Sequence, residues 1–516
     1  MLKADYTPVL TPLDEVVFTQ LVPADHYLRR LKAVVDFTPL RALVADCYAA
    51  ELGRPALDPV VLLKLLLLQQ HYGWSDAGVL QQAQVNVALR FFLDWTLSTT
   101  PPDASLLTVF RQRLGLARWQ QLLQAIVRQA RGAGLVKDRL RLKDATHLIA
   151  NIAVPATLQL VAQTRDQLLC AAASFAAAEV TAHRQAAEDL RAATSDQPNE
   201  VRLLRRIKHL RTLVTWATAW QERLDGGAPP VAVEVYEACA TALDLAHKVL
   251  QDREPNAPDQ LRALTDVEAR RSKHGDYYDG YLLDVLLDAD SELITALDVL
   301  PANGDEAVNA QALLAQEETA QGNDIAAFSI DSIGFNGAVL QALSDDPTGP
   351  QVTVYVPPKP DWSPTPELFQ ATAFTLNAAG DELTCPGAQT TRTRYRDGKD
   401  HGWRYHFRAA QCRACPLRAQ CVTAKNQSGR QVSQNDYQAQ YDAARQRATT
   451  NDYQQVRKEH PAIERKLNEL VRWHDGRRVR YRGRRRVQVQ YLILAVVVNC
   501  KRIVRLLHAA PSAAPA

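Results

Sequence analysis

Three acids stand far apart in the chain: Asp144, Asp331 and Glu464. The alternation of Leu140-Arg141-Leu142-Lys143 marks a strand that Asp144 ends. The apolar run from Ile325 to Ile330 marks another, ended by Asp331. Glu464 falls on a short amphipathic helix, beside a stripe of Ile463, Leu467, Leu470 and Val471. An acid at a strand end is poorly placed for packing and well placed for a site. If the fold gathers these three, each opposes the ionisation of the others. A hard cation such as Mg2+ or Mn2+, which takes oxygen ligands, relieves that opposition. Two such ions about 4 Å apart activate a nucleophile and stabilise the leaving oxygen of a phosphoryl displacement. By spacing alone, the plainer reading is three ordinary surface acids.

A polyanion is the natural substrate for such a site, and the sequence carries a surface for one. Seven of the ten residues from Arg477 to Arg486 are arginine: Arg477, Arg478, Arg480, Arg482, Arg484, Arg485 and Arg486. Between Arg465 and Arg505 stand 13 lysines and arginines against two acids, Glu469 and Asp475, although the whole chain has a net charge of only +3. A solvated face would mix its signs; this one fits phosphates. Such contacts position DNA without reading its sequence. Tyr481 lies close enough in sequence to stack on unpaired bases. Trp473 is expected in the core, and Glu469 in solvent.

Eight cysteines in 516 residues do not make a disulfide scaffold, and a reducing cytoplasm fits them. Cys47, Cys170, Cys239 and Cys500 have apolar neighbours and read as buried thiols. Cys385, Cys412, Cys415 and Cys421 suit one structural Zn2+ bound as thiolates, although Cys385 is a distant partner for the Cys-x-x-Cys pair. The alternative is four unligated thiols in a loop. The N-terminus has no apolar signal region. The longest apolar runs, Val60 to Leu68 and Tyr491 to Val498, are interrupted or too short to cross a bilayer, so no membrane partner is expected.

Helices and strands must position these residues. Asp58-Pro59 opens a helix to Tyr72, Gly73 ends it, and Ser75 or Asp76 caps another through Leu89. Ser105 opens a third. Short helices and tight turns fit a helix-turn-helix-like DNA-binding bundle or a plain helical domain equally. Breaks near 195–198, 226–230 and 254–258 divide an alanine-rich stretch into roughly three helices. Tyr281 to Asp288 and Leu293 to Val299 read as a β-hairpin, and Val352 to Val356 as a last strand. From Pro357 to Ala424 there is little periodicity, and Lys425 to Thr450 reads as polar helix.

In this order the motifs resemble DDE transposases of bacterial insertion sequences, in the broad insertion-sequence-four-like superfamily. Gly53-Arg54-Pro55-Ala56-Leu57-Asp58-Pro59 and Pro102-Asp103-Ala104-Ser105 with Phe110-Arg111 resemble that group's helical N-terminal domain. Lys143-Asp144-Ala145-Thr146 resembles its first-aspartate strand, and Ser329-Ile330-Asp331-Ser332-Ile333-Gly334-Phe335 its second-aspartate motif. Ile463-Glu464-Arg465, the arginine block and Asn499-Cys500-Lys501-Arg502 resemble the third-acid region.

The resemblance implies an α+β fold with a ribonuclease H-like mixed sheet. Asp144, Asp331 and Glu464 would be the catalytic, metal-binding triad, and Mg2+ (or Mn2+) the cofactor. The activity implied is strand cleavage that generates 3′-hydroxyls, followed by strand transfer at the element's ends. The partners implied are double-stranded DNA, as terminal inverted repeats and target, and a second copy of the chain. A cytoplasmic, nucleoid-associated protein is expected. Where the family flanks its glutamate with Arg and Lys, this chain has His460, with Arg457 one turn earlier, and Val471, with Arg472 beside it. Arg457, His460, Arg472, Lys501 and Arg502 therefore join the arginine block as candidate DNA contacts.

The expected organisation is a helical N-terminal domain over 1–135 and core segments over 136–154, 265–356 and 446–508. A helical insertion spans 155–264, a cysteine-bearing, zinc-ribbon-like insertion 357–445, and a disordered tail 509–516. The competing reading is a catalytically inactive DNA-binding descendant. A structural RNA-binding protein lacks the stacking-platform motif it would need.

Overall fold

The computed structural model describes residues 2, 9–49, 53, 55–227, 229–254, 257, 259–359, 367–397, 402–423 and 428–508. The expected tail at 509–516, together with Arg54, Ala424 and Lys425, lies outside the described residues.

The fold is mixed α+β, organised on one six-stranded sheet. Its strands are β1 (Arg141–Ile149), β2 (Arg270–His274), β3 (Asp276–Asp288), β4 (Ile294–Pro301), β5 (Ala327–Ser329) and β6 (Thr353–Tyr355). β3 runs antiparallel to β1 along its length; its first residues pair with β2 and the remainder with β4. On the other side, β1, β5 and β6 are parallel. This combination of antiparallel hairpin and parallel strands fits the expected ribonuclease H-like sheet.

One correction concerns β1. The local pattern ends the strand at Asp144, but it continues to Ile149, so Asp144 is its fourth residue. The continuation is held by β3 and by Arg477–Val479: Ile149 donates to Arg477 O at 2.8 Å, and Val479 to Ile149 O at 3.0 Å.

The two faces of β1 have different partners. Arg141 is fully buried and pairs with Glu317 Oε1 at 2.6 Å and Asp288 Oδ1 at 2.7 Å. Lys143 pairs with Asp284 at 2.9 Å, and Asn309 donates to the other oxygen of Asp284 at 2.9 Å. These contacts bind the sheet to the Glu306–Gln321 helix. Removing one partner of such a buried pair costs roughly 3–5 kcal/mol, because the other charge is left uncompensated. Leu142 and Leu148 point the other way, into the main core.

That core joins the sheet to the N-terminal helices through the last helix, Arg484–His508. Every residue from Val487 to Cys500 is buried. The helix is long and apolar enough to pass for a membrane span, yet its most apolar window is 89% buried within the protein, against three other helices and β4. Asn499 fixes its register: Oδ1 accepts from Ile294 N and Nδ2 donates to Ile294 O, both at 2.8 Å.

The N-terminal helices start and stop where their caps dictate. Asp58 accepts from Val60 N at 2.8 Å and opens Pro59–Tyr72. Gly73 ends that helix at φ +71°, a conformation glycine adopts without steric cost. Asn86 splits the next expected helix into Asp76–Val85 and Val87–Leu93 by capping the second. Such caps stabilise a helix by about 1 kcal/mol.

The alanine-rich stretch forms four helices rather than three: Thr157–Ala172, Ala177–Ala193, Asn199–Asp225 and Val233–Gln251. The additional break near Ala173–Ala176 contains neither Gly nor Pro. Gln431–Asn435, expected to be helical, is a strand antiparallel to Gly402–His406. Cys239 and Cys500 are buried as expected, whereas Cys170 is exposed and Cys47 half-buried.

Candidate active site

Strand register links the segments that carry the first two acids. β1 and β5 pair in parallel with Arg141 opposite Phe328 and Leu142 opposite Ser329. Carried two residues further, past the last paired residues, the same offset would set Asp144 opposite Asp331. Ile330 N still bonds to Tyr355 O at 3.1 Å, so the chain leaves the sheet only at Asp331. Asp331 caps the next turn, accepting from Ile333 N at 3.1 Å.

Glu464 comes from the Pro461–Asn468 helix, which packs on β1. Ile463 and Leu467 anchor its apolar side in the main core, and Glu464 stays exposed. Burial raises the Asp144 carboxyl to about 6, and the charges of Asp331 and Glu464 raise it as well, against the lowering effect of Lys143. Thus the three acids share one electrostatic neighbourhood.

Arg457 faces the same group. Its Nη1 donates to Ile330 O at 3.1 Å and Ser329 Oγ at 3.3 Å. Burial lowers its pKa, partly offset by Tyr453, Asp331, Glu464 and Asp144.

A fourth acid has no mark in the sequence. Glu306 opens the helix on the opposite face of the sheet. Burial pushes its carboxyl up to about 7, and Asp284, Asp331 and Asp144 add to the rise. An acid in a first helical turn looks like ordinary dipole compensation, so nothing in the local pattern singles it out.

These carboxylates are hard oxygen donors whose charges oppose one another, the chemistry that suits a hard divalent cation. Among the described residues, however, no three His, Cys, Asp or Glu side chains converge as a finished metal-ligand set.

The candidate DNA contacts divide into two groups. Arg478, Arg482, Arg485, Arg486 and Arg472 are exposed. Arg485 and Arg486 line an open groove of about 430 Å³ with Arg111, Gln112 and Tyr481. The others turn inward. Arg477 donates to Thr146 Oγ1 at 3.2 Å and to His147 O, which stitches it to β1. Arg480 reaches Trp74 O at 3.3 Å, and Arg484 lies half-buried beside Glu268.

Three of the expected DNA contacts have partners within the protein. His460 is buried at 3% exposure, with Nδ1 3.0 Å from Ser329 Oγ, so it supports the site from inside. Lys501 is bonded to Glu469 and His474, each at 3.2 Å. Arg502 donates to Ser291 O at 2.8 Å and pairs with Glu292.

A π-helical turn over Glu469–Trp473 accounts for two further differences. Widening the turn shifts the helical phase of the side chains it carries. Glu469, expected in solvent, is drawn onto Lys466 at 2.8 Å and Lys501. Trp473, expected in the core, is 80% exposed.

Cys385, Cys412, Cys415 and Cys421 are free thiols that line one small pocket walled by Phe374, Phe407 and Val422. Burial raises the Cys421 thiol, Arg430 lowers it, and Cys412, Cys385 and Cys415 raise it further.

Comparison with protein families identifies the class: the chain carries transposase domains. A model described as "Transposase domain (DUF772)" matches residues 16–113, and one described as "Transposase DDE domain" matches residues 384–504. More narrowly, the two together indicate a DDE transposase of an insertion element, and the mixed α+β fold is consistent with its ribonuclease H-like form. The second match includes Glu464, while Asp144 and Asp331 fall between the two. No curated protein and no solved structure matched the chain.

Proposed function

We propose that this transposase cuts DNA strands at the ends of its insertion element and joins them to target DNA, with Asp144, Asp331 and Glu464 as the catalytic triad. The observation that supports this reading is the β1–β5 register, which joins the segments leading to Asp144 and Asp331, with the Glu464 helix packed on β1. In the first step, water attacks a backbone phosphorus and the P–O3′ bond breaks, leaving a 3′-hydroxyl and a 5′-phosphate. In the second, that hydroxyl attacks a target phosphorus; the new P–O bond joins element to target, and the target's own P–O3′ bond breaks to release a 3′-hydroxyl.

Asp144, Asp331 and Glu464 would hold Mg2+ or Mn2+. Bound there, the cation would neutralise charge on the phosphate and make its attacking oxygen more nucleophilic. The protein's own share is placement. Ser329 and Ile330 are pinned by Arg457, which fixes the approach to Asp331. Arg478, Arg482, Arg485 and Arg486 offer exposed charge for the backbone of double-stranded DNA. The N-terminal helices would complete the DNA-binding surface, and a second copy of the chain would serve the second element end.

The test is Asp144→Asn, Asp331→Asn and Glu464→Gln, each assayed for Mg2+-dependent nicking and for DNA binding. Each should lose cleavage and keep binding. Full cleavage by any of them rejects the triad. A wild-type chain that binds element ends but never nicks them, in Mg2+ or Mn2+, would favour the inactive descendant.

A further inference from the structure

We propose that Cys385, Cys412, Cys415 and Cys421 form a tetrathiolate site for one zinc-class cation, which fastens the base of the small sheets inserted between β6 and the Glu464 helix.

The four residues arrive on three short, well-fixed turns. Cys385 opens a tight turn closed by Ala388 N to Cys385 O and Cys385 N to Gln389 O, both at 2.9 Å. Cys412 and Cys415 flank the end of the Ala409–Arg413 helix, with Cys415 N bonded to Cys412 O at 3.4 Å. Cys421 is the last residue of the Arg418–Cys421 helical turn. All four meet at one pocket with free space of about 20 Å³, close to the volume of a single water-sized probe.

Gly387 reports how close two of the sulfurs come. A Cβ placed on it would lie 2.8 Å from Cys415 Sγ and 3.8 Å from Cys385 Sγ, so a side chain there would collide with the cluster. The backbone N–H of Arg430 donates to Cys412 Sγ at 3.4 Å, a bond that favours the thiolate. Arg430 also grips Phe369 O at 2.7 Å and Cys421 O at 3.1 Å, holding the pocket wall. The sulfurs do not yet close on a common centre. Each turns on a single χ1 bond, while the turns hold the backbone in place.

The chemistry of the donors selects the ion. Four thiolates are soft ligands that favour tetrahedral Zn2+ over the hard Mg2+ suited to the carboxylates. Four thiols packed together cannot all ionise unaided, and a dication removes that obstacle.

The segment also needs such a fastening. Among the described residues, its buried apolar cluster is Phe374, Leu383, Tyr405, Phe407 and Val432, and it supports two three-stranded sheets. A core that small seldom holds a fold without a metal or disulfide. One of these sheets stacks Arg394 and Arg396 on Trp403, at 4.2 and 5.4 Å. The site is independent of the carboxylate triad.

The test uses the full chain, purified under reducing conditions without added metal. Elemental analysis should find about one zinc per chain. Replacement with Co2+ should give thiolate charge-transfer bands in the near ultraviolet and tetrahedral bands in the visible. Cys412→Ser and Cys421→Ser should lose both, and Asp144→Asn should keep its zinc. Should the serine variants fail to fold, the wild-type cobalt spectrum still decides. A metal-free chain with no cobalt–thiolate absorption overturns the proposal, whether its four thiols are free to reagent or paired as disulfides.

Discussion

Arg457 is tied to Ile330: its Nη1 donates to the Ile330 carbonyl at 3.1 Å, one peptide before Asp331. The helix preceding Glu464 is thereby locked to the turn that presents the second aspartate. Arg457→Ala should slow cleavage about 10–100-fold, the effect expected from losing a charged hydrogen bond worth roughly 1.5–3 kcal/mol. Arg457→Lys should recover little, because an ammonium lacks the planar fork of a guanidinium. Single-turnover nicking, alongside thermal melting to show an intact fold, measures this. An unchanged rate in Arg457→Ala would remove Arg457 from the site.

Glu306 brings a further carboxyl toward the carboxylate neighbourhood from the opposite face of the sheet, and with its pKa raised to about 7 it is fully charged only above neutral pH, where the assay is run. Glu306→Gln should raise the Mg2+ concentration needed for half-maximal cleavage by roughly 3–10-fold, the weight of one nearby charge screened by protein. The rate at saturating Mg2+ should change much less. Calorimetric Mn2+ binding should weaken in parallel. Identical metal titrations for variant and wild type would make Glu306 an ordinary helix-start acid.

The basic segment predicts two separate phenotypes. Arg478→Ala, Arg482→Ala, Arg485→Ala and Arg486→Ala should each flatten the slope of log affinity against log salt by about 1, with melting temperature unchanged. Lys501→Ala and Arg502→Ala should do the reverse, since they strip partners from Glu469 and Glu292. A reduced salt slope in the latter pair would show that these residues also reach DNA.

Stability should decline in acid through His460. Burial, and then Arg457, lowers its pKa from 6.5 to about 4. The folded state resists its protonation, so this contribution is complete above pH 6.5 and disappears as pH falls toward 4. His71 and His147 are also depressed to about 4, chiefly by burial. Their contribution to the urea midpoint should therefore shrink between pH 7 and pH 5, against the opposite trend of Asp144 and Glu306, whose raised pKa values favour the folded state as pH falls. His460→Asn, which keeps a polar group near Ser329 Oγ, should show a shallower drop. Equal drops in both proteins would assign the loss elsewhere.

Much of the scaffold is legible in the sequence because its signals are local. Asp58, Pro59 and Gly73 announce a helix and its end, and the two apolar runs either side of Asp290 announce the β3–β4 hairpin. The strands that carry Asp144 and lead to Asp331 are legible too, although Ala145-Thr146-His147 gives no hint that β1 continues. Its extension depends on Arg477–Val479, more than 300 residues away, and no local pattern carries that. The strands Leu383–Thr384 and Thr390–Thr391 are too short to show a period. The π-turn has no sequence mark, so the placements of Glu469 and Trp473 go astray together. Runs of arginine do not reveal which members face inward; that depends on carbonyl groups, such as those of Trp74 and His147, that only the fold supplies.

The Arg484–His508 helix forms the inner wall against which the N-terminal helices and the sheet close. None of the three candidate acids lies on it, yet the core that supports their strands and helix is built around it. A deletion confined to that helix would leave a polypeptide containing every candidate catalytic acid and no filled interior to hold them.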